Sequence, residues 1–184
     1  MRVGTVREIK DNEFRVGLTP ESVRELAGHG HEVLVETGAG AGIGESDADY
    51  RDAGARIVAG PEEIFANCEL VVKVKEPQMA ERAMLRPGLV LFTYLHLAPD
   101  PQQAADLVTS GVTAIAYETV TGPGNTLPLL KPMSQVAGRM AVQAGASALE
   151  KEHGGRGVLL ARAHRPGRVA FHRPTSEFSI GCLV

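Results

Sequence analysis

The chain has 184 residues, 43% of them hydrophobic and 22% charged, which fits one globular domain or one and a fraction and excludes disordered, collagen-like and coiled-coil classes. A formal net charge of −3 with no basic run in the first 160 residues argues against a nucleic-acid surface, and no apolar stretch nears the roughly 18–20 residues that span a bilayer. The charged opening MRVGTVREIKDNEFR is not a signal peptide, and Cys68 and Cys182 are too few to frame a disulfide scaffold, so a cytoplasmic protein is expected.

In chain order, Arg2–Val6 reads as a first strand. Thr19, Pro20 and Glu21 follow as an N-cap, a proline at the first helical position and an acid in the first turn. Val23, Leu26 and Ala27 then make an apolar helical face, which Gly28 and Gly30 end. Further strands are expected at Glu32–Glu36, Arg56–Val58, Leu70–Val74, Leu89–Leu95 and Thr113–Tyr117, with helices between them at Asp47–Ala53, Pro61–Ala66, Gln78–Leu85 and Pro101–Thr109. This alternation predicts an α/β fold: a Rossmann-like (flavodoxin-like) open parallel sheet with helices on both faces. A longer helix, Met133–Glu152, is rich in alanine and glycine. It reads either as a helix that packs closely on a partner surface or as an ordinary core helix with high alanine propensity. Gly154 and the glycines after it are expected to cap it.

The expected organisation is a catalytic α/β domain over residues 1–131, an inter-domain helix and its cap over 132–157, and a divergent tail over 158–184. Residues 162–184 hold four arginines against one acid, Glu177, and show no helical or strand period.

Ligands of open α/β sheets bind outside the carboxyl ends of the strands. Four polar residues stand there: Arg15 after the first strand, Lys75 after Leu70–Val74, His96 after Leu89–Leu95 and Glu118 after Thr113–Tyr117. Arginine grips a carboxylate with a matching fork. A lysine ammonium polarises a keto oxygen, and a histidine carries a proton near neutral pH. The set suits a small oxo acid or amino acid. Singly, each also reads as a solvated surface charge, with Glu118 pairing one of the cations. Lys73 alternates with Lys75 and reads as structural. The run Gly38–Gly44 does not meet the G-x-G-x-x-G spacing of a dinucleotide fingerprint and reads as a turn. No metal-ligand spacing and no G-x-S-x-G elbow occur.

The segments NEFRVGLTPESVRELAGHGHEVLVETGAGAGIG, DADYRDAGA, LVVKVKEP, LFTYLHLA, IAYETV and LPLLKPMSQVAGRMAVQAGA resemble, in order, the N-terminal half of the L-alanine dehydrogenase family. The transhydrogenase alpha subunit shares the FR-x-x-x-TP opening, but LFTYLHLA and PMSQVAGRMA resemble the dehydrogenases. The resemblance implies two Rossmann-like domains, oxidation of L-alanine to pyruvate and ammonium with NAD, and hexameric assembly. It also implies Arg15 and Lys75 as the substrate-binding pair, His96 as the catalytic acid/base, and Ser134 with Met133 beside it as cofactor contacts.

The departure comes after GGRGVLL, where ARAHRPGRVAFHRPTSEFSIGCLV replaces the expected glycine-rich NAD fingerprint. It reads as a frameshift or truncation, or else as a natural divergent tail that docks on the domain. Three functional readings follow: the substrate half of an alanine dehydrogenase, inactive by itself; a non-catalytic module for a small carboxylate; or an oligomerising fragment, at least dimeric through Met133–Glu152.

Overall fold

The computed structural model describes residues 1–160 and two short strands beyond them. Two compact units are present, Met1–Val120 and Thr121–Val184.

The first unit is built on six strands: β1 Arg2–Thr5, β2 Glu32–Glu36, β3 Arg56–Val58, β4 Leu70–Val72, β5 Val90–Thr93 and β6 Thr113–Ala116. They form one sheet in the order β3-β2-β1-β4-β5-β6, with every pairing parallel. The order reverses between β1 and β4, whose register runs from Val3↔Leu70 to Thr5↔Val72.

Helices cover both faces, as the near-continuous apolar strands require. Along β2, Val33 and Val35 enter one core while Leu34 enters the other. The first core packs Val33 and Val35 with Val23 of α1 (Pro20–Gly28) and Tyr50 of α2 (Asp47–Asp52). The second packs Leu34 with Ile64 and Phe65 of α3 (Pro61–Asn67) and Leu107 of α5 (Pro101–Ser110). Cys68 lies in this second core, and burial pushes its thiol up to about 11; Cys182 is outside the described residues.

Local chemistry sets the helix ends. Thr19 caps α1 by accepting the Ser22 N–H, Ser46 and Asp49 form a capping box on α2, and Asp100 caps α5 by accepting the Gln103 N–H. Gly111, at φ +68, closes α5 in a left-handed conformation that suits glycine.

Several predicted elements are shorter. The strand expected over Leu70–Val74 ends at Val72 and that over Leu89–Leu95 covers Val90–Thr93; one residue beyond the next backbone bond, carboxylates of Glu8 and Glu118 take the Val74 and Leu95 N–H groups. The helix expected over Gln78–Leu85 is one turn, α4 Met79–Arg82: Glu81 caps its start on the Gln78 N–H at 2.8 Å, and past it Met84 and Leu85 donate to the carbonyls three residues back, a tighter turn than an α-helix.

In the second unit, α6 spans Leu130–Ala148 rather than Met133–Glu152. Pro132 is tolerated in its first turn, where no intrahelical donor is lost, and Glu150 turns extended at ψ 142°. Gly154, expected to cap this helix, instead ends the separate 3-10 turn Lys151–His153. Ala141 and Gly145 are buried, whereas Val136, Met140 and Ala144 are exposed. The two further strands, β7 Ala170–His172 and β8 Ser179–Gly181, pair antiparallel. The remainder of the tail expected over 158–184 lies outside the described residues past residue 160.

Tyr50 is fully buried, and its hydroxyl donates to the Leu18 carbonyl at 2.8 Å. Tyr50→Phe strands that carbonyl and is expected to cost about 1–2 kcal/mol. The measurement is a urea melt, with a lower midpoint and an unchanged slope.

Candidate functional site

The site is built where the sheet order reverses, at the carboxyl ends of β1 and β4. The segment after β1 crosses over the end of β4. Gly17 approaches the Val72 carbonyl so closely that an added Cβ would stand 2.3 Å from its oxygen, so only glycine fits there. Thr5 Oγ1 donates to the same carbonyl at 2.9 Å, and Lys10 pairs with Glu76 across the same gap.

Arg15 is presented by this crossing segment. Its Nε and Nη2 bond the two oxygens of Glu13 at 2.7 and 2.6 Å, a bidentate grip that fixes the guanidinium plane. Hydrogen bonding to Glu13 raises the Arg15 pKa. Burial works to raise the Glu13 carboxyl, but the Arg15 hydrogen bonds and the charges of Arg15 and Lys75 outweigh it and hold Glu13 below its ordinary range.

Lys75 leaves the end of β4 between two supports. On one side its carbonyl accepts from Thr93 Oγ1 at 2.8 Å. On the other, Glu8 accepts the Val74 N–H at 2.7 Å and lies 3.4 Å from the Lys75 N–H. Beneath them Lys73, fully buried, is held by Glu8 at 3.2 Å and by Glu81 at 2.6 Å. Lys73 is therefore structural, as expected. Burial raises the Glu8 carboxyl, against the opposing pull of Lys73 and the Val74 N–H.

His96 stands past β5 with φ +46, in the left-handed region that is uncommon for a residue with a side chain. Glu118, in the 3-10 turn Tyr117–Thr119, holds the loop in that shape. Its Oε1 accepts the His96 N–H at 2.8 Å and the Leu95 N–H at 3.1 Å. Glu118 thus bonds the backbone of this loop rather than a cation. The Tyr94 ring stacks on the imidazole at 5.8 Å, 14° between planes. Tyr117 meets Tyr94 edge-on at 5.0 Å and Phe92 at 4.3 Å.

Arg15, Lys75, His96 and Glu118 accordingly share one sheet edge within the first unit. Glu13 and Tyr94 link them: Glu13 bonds Arg15 and feels Lys75, and Tyr94 feels Arg15 and stacks on His96. Met133 and Ser134 lie on α6 in the second unit. Sequence reading missed Glu8, Glu13 and Tyr94. Tyr94 was findable as the aromatic residue of the strand expected over Leu89–Leu95, two residues before His96. Glu8 and Glu13 look like loop solvation in the sequence. Gly40 and Gly42 of the glycine run are needed for packing against the chain itself: added Cβ atoms would stand 2.5 Å from the Tyr50 ring and 2.2 Å from the Phe14 carbonyl oxygen. Among the described residues no group of three or more His, Cys, Asp or Glu could hold a metal ion, and no helix is long and apolar enough to cross a membrane.

Residues 4–137 match the family model described as "Alanine dehydrogenase/PNT, N-terminal domain". The chain is 58% identical over 161 residues to an alanine dehydrogenase of Bacillus subtilis, covering 88% of this chain and 42% of that one. It is 55% identical over 160 residues to one of Halomonas elongata, covering 87% and 43%. A solved L-alanine dehydrogenase superposes with a TM-score of 0.79 at 51% identity, over 91% of this chain and 46% of the other. A transhydrogenase of Sinorhizobium meliloti gives 0.71 at 28%, over 82% and 45%. The chain thus spans less than half the length of the proteins it matches.

Glu36, at the end of β2, is buried and accepts the Arg7 N–H at 2.9 Å. Desolvation raises its carboxyl above the ordinary range, against that hydrogen bond and the Arg7 charge. An acid raised in the folded state disfavours folding when ionised; the cost is full above the folded pKa and fades as pH falls to the unfolded value. Glu36→Gln keeps the acceptor oxygen and is expected to melt higher than the parent at pH 7. Melts at successive pH values check this: the gap closes on acidification below about pH 4.

Proposed function

This chain belongs to the alanine dehydrogenase/PNT N-terminal domain family, and from that membership we propose that it forms the substrate-binding side of a cytoplasmic L-alanine dehydrogenase. The observation that carries the reading is the edge shared by Arg15, Lys75 and His96, joined through Glu13 and Tyr94. Arg15 supplies charge and N–H donors for the carboxylate of pyruvate or L-alanine, its plane set by Glu13. Lys75 donates to the keto oxygen and favours the polarised carbonyl. His96 moves the proton, its ring placed by the left-handed backbone that Glu118 secures and by Tyr94. Glu118 is a positioning residue here.

Family membership supports NAD as the hydride acceptor, with Ser134 and Met133 as this chain's contacts to it. Gly40 and Gly42 of the glycine run are taken up by packing against Tyr50 and Phe14. The chemistry assigned to this chain is therefore binding, orientation and proton transfer. The likeness to a transhydrogenase supports a shared fold, and the higher identity to alanine dehydrogenases favours the amino-acid reading. The catalytic α/β domain is read as residues 1–131, with residues 132–157 as the connecting helix and its cap.

Titration calorimetry tests the site. Pyruvate is expected to bind the chain, and Lys75→Ala or Arg15→Ala to weaken it about tenfold or more, ~1.4 kcal/mol. Equal heats for parent and variants would remove the site.

Self-association is part of the same reading. Val136, Met140 and Ala144, spaced by four on α6, leave an exposed apolar stripe, and a second copy would bury it. Sedimentation is expected to show at least a dimer, and Met140→Glu to shift it toward monomer.

A further inference from the structure

We propose that Glu8 is the positioning residue for Lys75: its carboxylate, anchored by buried Lys73, holds the peptide groups of Val74 and Lys75 so that the Lys75 side chain stands at the site edge. The substrate-binding role of Lys75 itself rests on the reading above.

Three observations carry the assignment. First, β1 and β4 stop pairing at Thr5↔Val72, because the segment after β1 turns away over the end of β4. The Val74 N–H, on the β1 side of the segment, then has no β1 carbonyl to meet. Glu8 stands in, with Oε1 at 2.7 Å from the Val74 nitrogen and Oε2 at 3.4 Å from that of Lys75. The pairing with β5 meanwhile continues through Lys73 N–H to the Phe92 carbonyl at 3.0 Å and Tyr94 N–H to the Val74 carbonyl at 3.2 Å. The segment Lys73–Lys75 is thus held from both neighbours, by backbone bonds at Lys73 and Val74 and the Thr93 hydroxyl on the Lys75 carbonyl on one side, and by the Glu8 side chain on the other.

Second, that side chain is itself fixed. The side chains of Glu8, Lys73 and Glu81 are 2%, 0% and 3% exposed. A buried ammonium is tolerated only where paired and hydrogen-bonded. Lys73 meets that condition by joining Glu8 to Glu81, and Glu81 continues to the Gln78 N–H, which begins α4. One hydrogen-bonded chain therefore ties the segment after β1, the segment after β4 and the start of α4 around Lys75.

Third, a neutral apolar trio of similar volume would stabilise a core as well or better, yet it could not accept the two peptide N–H groups. The charge cluster is explained by the backbone it holds.

The test uses the full 184-residue chain, its accessible lysines reductively methylated with carbon-13 and the Lys75 signal assigned by its loss in Lys75→Arg. Glu8→Gln removes the charge that anchors Lys73 while keeping the size. The expected result is a folded protein in which the Lys75 methyl signal moves and pyruvate binding weakens about tenfold, with no added loss when Glu8→Gln is combined with Lys75→Ala. Ile64→Val, a change in the apolar core around α3, is expected to lower the melting temperature and leave the Lys75 signal in place. If Glu8→Gln does not fold, Glu8→Asp carries the same test, since its shorter reach cannot serve Lys73 and both peptide groups together. An unmoved Lys75 signal in a folded variant, or an equal loss of binding with and without Lys75, overturns the proposal. Equal pyruvate binding by the parent and by Lys75→Ala removes the substrate role of Lys75, and the methyl signal still decides whether Glu8 positions it.

Discussion

Where parallel strands end and their loops diverge, backbone N–H groups lose their partners, and a half-buried N–H cannot be left unmet without cost. At the carboxyl edge of this sheet a glutamate from a neighbouring segment answers that need three times. Glu36 at the end of β2 accepts the Arg7 N–H beyond β1. Glu8 beyond β1 accepts from Val74 and approaches Lys75 beyond β4. Glu118 beyond β6 accepts from Leu95 and His96 beyond β5. The loops that carry Lys75 and His96 are therefore shaped by carboxylates bonded to peptide groups.

The same arrangement sets the electrostatics of the edge. Each glutamate gains hydrogen bonds from the backbone and loses water, and for Glu8 and Glu36 the loss of water dominates. Glu13 sits under the opposite balance, because Arg15 bonds it twice. Carboxylates a few residues apart in sequence thus end with opposite shifts. The difference comes from the Arg15 hydrogen bonds and charge, which outweigh burial at Glu13.

Much of this was legible in the sequence. All six strands, the capped α1 and the layered α/β architecture follow from β-branched runs, the Thr19-Pro20-Glu21 start and the glycine stops. Arg15, Lys75, His96 and Glu118 were located by a single rule, polar residues at carboxyl strand ends. What stayed hidden was the supporting layer. Glu8 and Val74 are 66 residues apart, and no local period marks such a pair. Glu81 was not singled out within the helix expected over Gln78–Leu85, yet it is buried against Lys73. Lys73 was separable from Lys75 only as structural, with no means of naming its partners. The carboxyl ends of β4 and β5 were overestimated because the apolar pattern runs on to Val74 and Leu95, whose N–H groups go to Glu8 and Glu118.

The left-handed backbone at His96 has a consequence for the variation this loop can accept. Histidine, asparagine, aspartate and glycine enter that region at modest cost, whereas β-branched residues are strained there. The range of chemistry that mutation can sample at position 96 is therefore narrowed by the main chain before any substrate is present. Routes from this loop to a valine, isoleucine or threonine must rebuild the Glu118 latch first.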